Sequence, residues 1–292
     1  MTSRSRQSLV LLVALLASVL AACRAMPDGA LTDLTEARRL TADLRVQFEK
    51  AADASNQAVM ADTDEQSVAF AHDAGQATQA VTTDAATLAL RLAHLGYPAE
   101  IQLLEEFDKH FGEYQTLDRN VLELAVENTN LKAQRLSFGP VREAADAFRD
   151  ALEPLGPKAK DHCRVETLVA RAVLAVRDIQ VLQAPHIAES DDAAMTRMEA
   201  QMGALQATAA GALEAIGGLV DAAAQAEVTA AAAALDRFRD LSAQIVKLSR
   251  RNSNVRSLSL SLREKPVLTA ACNDSLRALA DALAKEGFTA TR

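Results

Sequence analysis

Tryptophan is missing from this chain, and only two tyrosines and eight phenylalanines stand among its 292 residues. Sheets draw on aromatic and β-branched side chains, so a chain this poor in aromatics and rich in alanine and leucine excludes an all-β fold. It favours long helices packed through small side chains. Seven prolines and eleven glycines are too few for a loop-rich fold, and they mark the ends of periodic stretches. Positive charge is also short, with 31 Lys and Arg against 39 Asp and Glu and no dense basic face, which excludes nucleic acid as a partner. C-x-x-C-H is absent, so covalent c-type haem is excluded. Among five histidines, His110 with Glu113 and His186 with Glu189 form H-x-x-E pairs, but the neighbouring stripes carry aromatics and alanines where a di-iron bundle needs carboxylates. No nucleophile elbow, P-loop or dinucleotide fingerprint occurs. The sequence therefore names no catalytic residue, no metal ligand and no cofactor, and no enzymatic activity is expected.

What is present begins with an address. Arg4 and Arg6 precede an apolar run, Leu9 to Leu20, that is too short to span a bilayer, so residues 1–22 are expected to be a signal peptide. The run ends in Leu20-Ala21-Ala22-Cys23, which resembles the lipobox of bacterial lipoproteins. That resemblance implies acylation of Cys23 as the first residue of the mature chain, with residues 23–32 as a tether. Two or three acyl chains hold a protein stably on a membrane, each buried methylene contributing about 0.8 kcal/mol. Arg24 rather than aspartate follows the cysteine, which under the enterobacterial sorting rule favours the outer membrane, facing the periplasm. Loss of Arg4 and Arg6 leaves the mature chain more acidic than the net −8 of the whole sequence. No second apolar run of spanning length follows.

The remaining chain reads as helices. A capping box at Asp33 and Glu36 opens the first, which buries Leu40, Leu44, Phe48, Ala51, Ser55 and Ala58 and ends near Met60. Thr63 and Gln66 cap the second, which stops at Gly96-Tyr97-Pro98. The third carries Ile101, Leu104, Phe107, Phe111, Tyr114, Leu117, Val121, Leu124 and Asn128 on one face. A shorter fourth follows Gly139-Pro140 with Ala144, Phe148 and Leu152 inward, Pro140 being read as a first-turn proline. Short turns between helices of similar length require antiparallel neighbours. Pro154-Leu155-Gly156-Pro157 marks a boundary or a kink. Beyond it Val165, Leu168, Ala172, Val176 and Ile179 stripe one helix, and Leu268, Cys272, Leu276, Leu279 and Leu283 stripe the last.

The second half repeats the first. At an offset of 124 residues Phe111 falls on Leu235, Tyr114 on Phe238, Leu117 on Leu241, Leu124 on Leu248, Asn128 and Asn130 on Asn252 and Asn254, and Lys132 on Arg256. One apolar face kept over about seven turns is the mark of a duplicated packing unit. The expected fold is all-α, two tandem antiparallel up-and-down helical bundles at 33–154 and 157–287, elongated, each half burying a core of its own. Cys163 and Cys272 then lie on the order of 30 Å apart along the helices, beyond disulfide reach.

Tyr114, the run Val121 to Ala133 (VLELAVENTNLKA), Leu136-Ser137-Phe138-Gly139-Pro140 and the amphipathic helix after them resemble the third and fourth helices of the four-helix-bundle ligand-binding region of methyl-accepting chemotaxis receptors. The copy from Phe238 to Leu283 resembles it less closely. The resemblance implies an up-and-down bundle that senses small molecules, often organic acids or amino acids, in the periplasm. The flanking membrane helices and cytoplasmic signalling helix of that family have no counterpart here. Asn128 and Asn252 fall on apolar stripes, and buried amides must be paired. Two readings stand. Asn128, Asn130, Lys132, Asn252, Asn254 and Arg256 donate to a small anionic ligand, or the asparagines fix helix register or cap a helix break. The corresponding functions are a lipid-anchored, sensor-like binding module that hands its state to an envelope protein partner, or a structural envelope spacer or scaffold.

Overall fold

A computed structural model describes residues 28–289 of the chain; the expected signal peptide and the lipidation site Cys23 lie outside the described residues. Those residues are all-α, with no strand among them: α1 (Asp28–Met60), α2 (Asp64–Leu95), α3 (Pro98–Glu127), α4 (Thr129–Leu136), a π turn (Ser137–Val141), α5 (Arg142–Leu152), α6 (Leu155–Lys158), α7 (His162–Ala188), α8 (Asp192–Gly217), a 3₁₀ turn (Ala222–Ala224), α9 (Gln225–Arg251), α10 (Ser253–Arg263) and α11 (Lys265–Thr289).

The punctuation is mostly that of the sequence. Thr63 Oγ1 accepts from the Gln66 N–H at 3.1 Å, capping α2, and Gly96 takes φ of 70° beyond its end. That left-handed residue lets the Tyr97 N–H return to the Leu92 carbonyl at 3.1 Å. Pro140 differs from expectation. It sits inside a continuous helical run, in the π turn. A proline clashes with the carbonyl four residues before it, and one wider turn absorbs the conflict without ending the helix.

The chain divides into two compact units, and they do not follow the 154–157 boundary. One unit comprises residues 28–51, Gln76–Glu113 and 268–289; the other comprises Ala52–Gly75 and Tyr114–Val267. The reason is an exchange of last helices between the repeats. In the first unit, α11 of the second repeat packs with α1 and α3 of the first. Arg38 donates from Nε and Nη2 to the Leu283 carbonyl at 3.1 and 2.9 Å, and His110 Nδ1 lies 3.0 Å from Ser275 Oγ. Phe48 meets Phe107 and Phe111 edge-on, with centroids 6.4 and 6.0 Å apart. Asp33 accepts from Arg91 at 3.0 Å and pairs with His94 at 2.8 Å, tying α1 to α2.

In the second unit, α5 of the first repeat lies on α9 and α7 of the second. A single apolar cluster holds Phe148 and Leu152 together with Val176, Ile179, Phe238 and Ile245. The halves therefore do not each bury a separate core. Removing α5 would take Phe148 and Leu152 out of this cluster, so the second repeat depends on the first for part of its core. A smaller cluster, Ala58, Val59, Val121 and Ala125, packs beside Phe70, Leu117 and Leu260 in the same unit. Cys163 is exposed, Cys272 is buried, and both are free.

Candidate functional site: a two-fold asparagine clasp

Asn128 ends α3 and Asn252 ends α9, both in the left-handed conformation, with φ of 49° and 54°. They are the non-glycine residues among those described that adopt it, and asparagine tolerates it better than most L-residues. Each break restarts a helix, with the Lys132 N–H on the Asn128 carbonyl and the Arg256 N–H on the Asn252 carbonyl, both at 3.0 Å. A new helix start leaves its first N–H groups without partners inside the helix. Here the other copy of the motif supplies them.

The Thr129 N–H donates to Ser253 Oγ and the Ser253 N–H to Thr129 Oγ1, each at 3.0 Å. The Asn130 N–H donates to Asn254 Oδ1 and the Asn254 N–H to Asn130 Oδ1, each at 3.1 Å. Asn130 Nδ2 donates to Asn252 Oδ1 and Asn254 Nδ2 to Asn128 Oδ1, each at 2.8 Å. Every bond has its mirror at the same length, and Thr129 and Asn130 face their own counterparts 124 residues on. That is the signature of an isologous contact about a two-fold axis, here made inside one chain.

The symmetry is broken where the two copies differ. Asn130 Nδ2 also donates to the Ile187 carbonyl at 2.6 Å, and Asn252 Nδ2 to the Glu189 carbonyl at 2.7 Å, capping the end of α7. Asn128 Nδ2 is buried with no such partner. Glu127 and Arg251, which precede the two asparagines, pair through Nε at 2.6 Å and through a second, shorter contact. The Arg251 hydrogen bond holds the Glu127 carboxyl below its ordinary range. A homodimer would have placed like charges at this point. Divergence of the copies turned the position into an ion pair.

Lys132 and Arg256 are exposed, and Lys132 Nζ caps the Glu127 carbonyl at 2.8 Å. The structure therefore brings Asn128, Asn130, Asn252 and Asn254 together and leaves the two cations on the outer face. An anion at the asparagines would have to displace the contacts that already engage every side-chain amide atom here except Asn128 Nδ2. Sequence reasoning passed over Thr129 and Ser253, although the alignment sets hydroxyl on hydroxyl between the asparagines of ENTN and RNSN.

A second buried polar layer flanks the clasp. Lys265 and Asp118, 2% and 3% exposed, form an ion pair at 2.8 Å, with Ser55 Oγ bonded to both and the Tyr114 ring 5.6 Å from the ammonium. Burial pushes the Lys265 ammonium below its usual range, and Asp118 opposes that shift. At the 124-residue offset Asp118 corresponds to Ser242 and Lys265 to Val141. In that copy the layer is neutral, with Gln183 donating to Ser242 at 3.1 Å and accepting from Ser137 at 2.7 Å. His186, from the H-x-x-E pair, is fully buried and meets Glu199 at 2.9 Å, which in turn holds Arg250 at 2.6 Å.

Two outcomes follow. Asn128→Gly keeps the left-handed backbone and removes one acceptor, so chemical denaturation should show a loss of about 1 kcal/mol. Asn128→Leu adds the cost of a left-handed leucine and should lose about 2–4 kcal/mol; equal losses would contradict the backbone role. Lys265→Val alone strands Asp118 and should cost about 3–5 kcal/mol. Adding Asp118→Ser, so that both positions copy the other repeat, should recover most of it.

No protein-family model matches the chain and no curated protein matches it, so the functional reading rests on these residues.

Proposed function

We propose that the chain is a non-enzymatic scaffold of the cell envelope, held to the membrane by acylated Cys23, in the outer membrane and facing the periplasm. The observation that supports a structural role is the clasp. The asparagines that the sequence offers to a ligand are bonded to one another and to the end of α7, Asn128 Nδ2 apart, in a largely mirrored pattern that fixes the register of two long helical runs. Polar contacts of this kind specify one packing over its alternatives, as a buried asparagine does in a coiled coil. Among the described residues no helix is long and apolar enough to cross a membrane. An envelope protein is the partner that such a scaffold would carry.

A second reading, the sensor-like binding module, is favoured by one observation. In the first unit a cavity of about 170 Å³ lies between α1 and α11, with two arginines among its lining residues.

The readings separate in cells that express the protein. Wild type should fractionate with membranes, and Cys23→Ser should remain unprocessed or soluble. If the role is structural, Cys23→Ser and the clasp variant Asn130→Ala/Asn254→Ala should both reproduce the envelope defects of a deletion, while filling the cavity with Ala280→Leu should be silent. A defect from Ala280→Leu alone would overturn the scaffold reading in favour of the sensor.

A further inference from the structure

The cavity in the first unit is built by two facing stripes. α1 contributes Arg38, Thr41, Ala42 and Arg45, and α11 contributes Leu276, Ala280, Leu283 and Ala284, spaced three and four apart as on any packed helix face. Three of these positions are alanine, whose short side chains leave the groove open. Ala42, Ala280 and Ala284 are exposed, while Leu276 and Leu283 form a buried floor. Each arginine is at a different end, seven residues or about 10 Å apart on α1. Arg38 is fixed by its bonds to the Leu283 carbonyl. Arg45 is only loosely engaged, 3.8 Å from Glu49 with side chains 62% and 58% exposed. A contact so exposed is readily given up to a better acceptor.

An apolar floor between two guanidinium groups fits an amphiphile with one negative end. We propose that this groove binds small carboxylates with a short apolar body, an aryl ring or a chain of about six carbons, whose carboxylate pairs with Arg45. Arg38 contributes positive potential at the other end. An apolar cavity of about 150 Å³ accommodates a benzene ring, so the volume suits that class. Arginine is the side chain suited to bidentate carboxylate recognition. The inference deepens the sensor-like reading and rests on it. It places the anion away from the asparagines, where the sequence had put it.

The test is calorimetric titration of the full-length protein with benzoate and hexanoate, in buffer free of carboxylates, alongside benzamide, hexanamide and acetate. The two acids should bind, and the neutral amides and acetate should bind at least tenfold more weakly. Arg45→Gln should weaken the acids about tenfold or more, and Ala280→Leu should abolish binding while leaving the thermal melt intact. Equal binding of acids and amides would overturn the anionic class. Undiminished binding to Ala280→Leu would overturn the site and leave the sensor-like reading standing. If none of the five compounds binds the wild-type protein, the inference and the sensor-like reading both fall.

Discussion

Two asparagines forced into the left-handed region set the terms for this structure. Each break opens a helix start whose N–H groups point into a buried setting, and a buried N–H without a partner costs about 1–3 kcal/mol. Those donors are satisfied by the other repeat, through Thr129 with Ser253 and Asn130 with Asn254. Neither break is satisfied alone, so each copy of the motif requires the other. The arrangement that meets this condition sends each repeat's last helix into the unit built mainly from the other repeat.

The same constraint accounts for the layers on either side. The chain is a duplicated unit whose copies pair as homodimer subunits would, yet they are free to diverge because they are encoded separately. Glu127 opposite Arg251 is one result, since identical subunits would set like charges against each other. The charged Ser55–Asp118–Lys265 layer and the neutral Gln183–Ser242–Ser137 layer are another. A buried ion pair is weak evidence for stability, and the neutral copy shows that the position folds without one. What the charged layer does hold in place is a unique mate for α11 at its first turn.

Much of this was legible in the sequence, in a particular way. Local features came through: the first-helix stripe from Leu40 to Ala58 is buried throughout, Thr63 caps α2, and both asparagines mark helix breaks. The repeat at 124 residues identified the residues that matter without saying what they touch. Periodicity gives the face a helix buries but not which helix it buries against, so the exchange of α5 and α11 was hidden; two self-contained bundles satisfy the same stripes. Pro140 misled for a related reason, because a π turn leaves the apolar pattern intact while admitting the ring. The groove lies beside Ala42, Ala280 and Ala284, which belong to no motif or apolar stripe that the sequence singles out.

The central claim is that the two motifs meet face to face within one chain, and a cross-link tests it most directly. Thr129 Oγ1 and Ser253 Oγ are 3.2 Å apart, a separation that paired cysteine sulfurs can close. In a chain whose Cys163 and Cys272 are replaced by alanine, Thr129→Cys with Ser253→Cys should oxidise rapidly to an intramolecular disulfide. It should be seen as a faster-migrating monomer on a non-reducing gel that reverts on reduction. A pair that stays reduced under mild oxidant, or that links only between chains, would contradict the clasp.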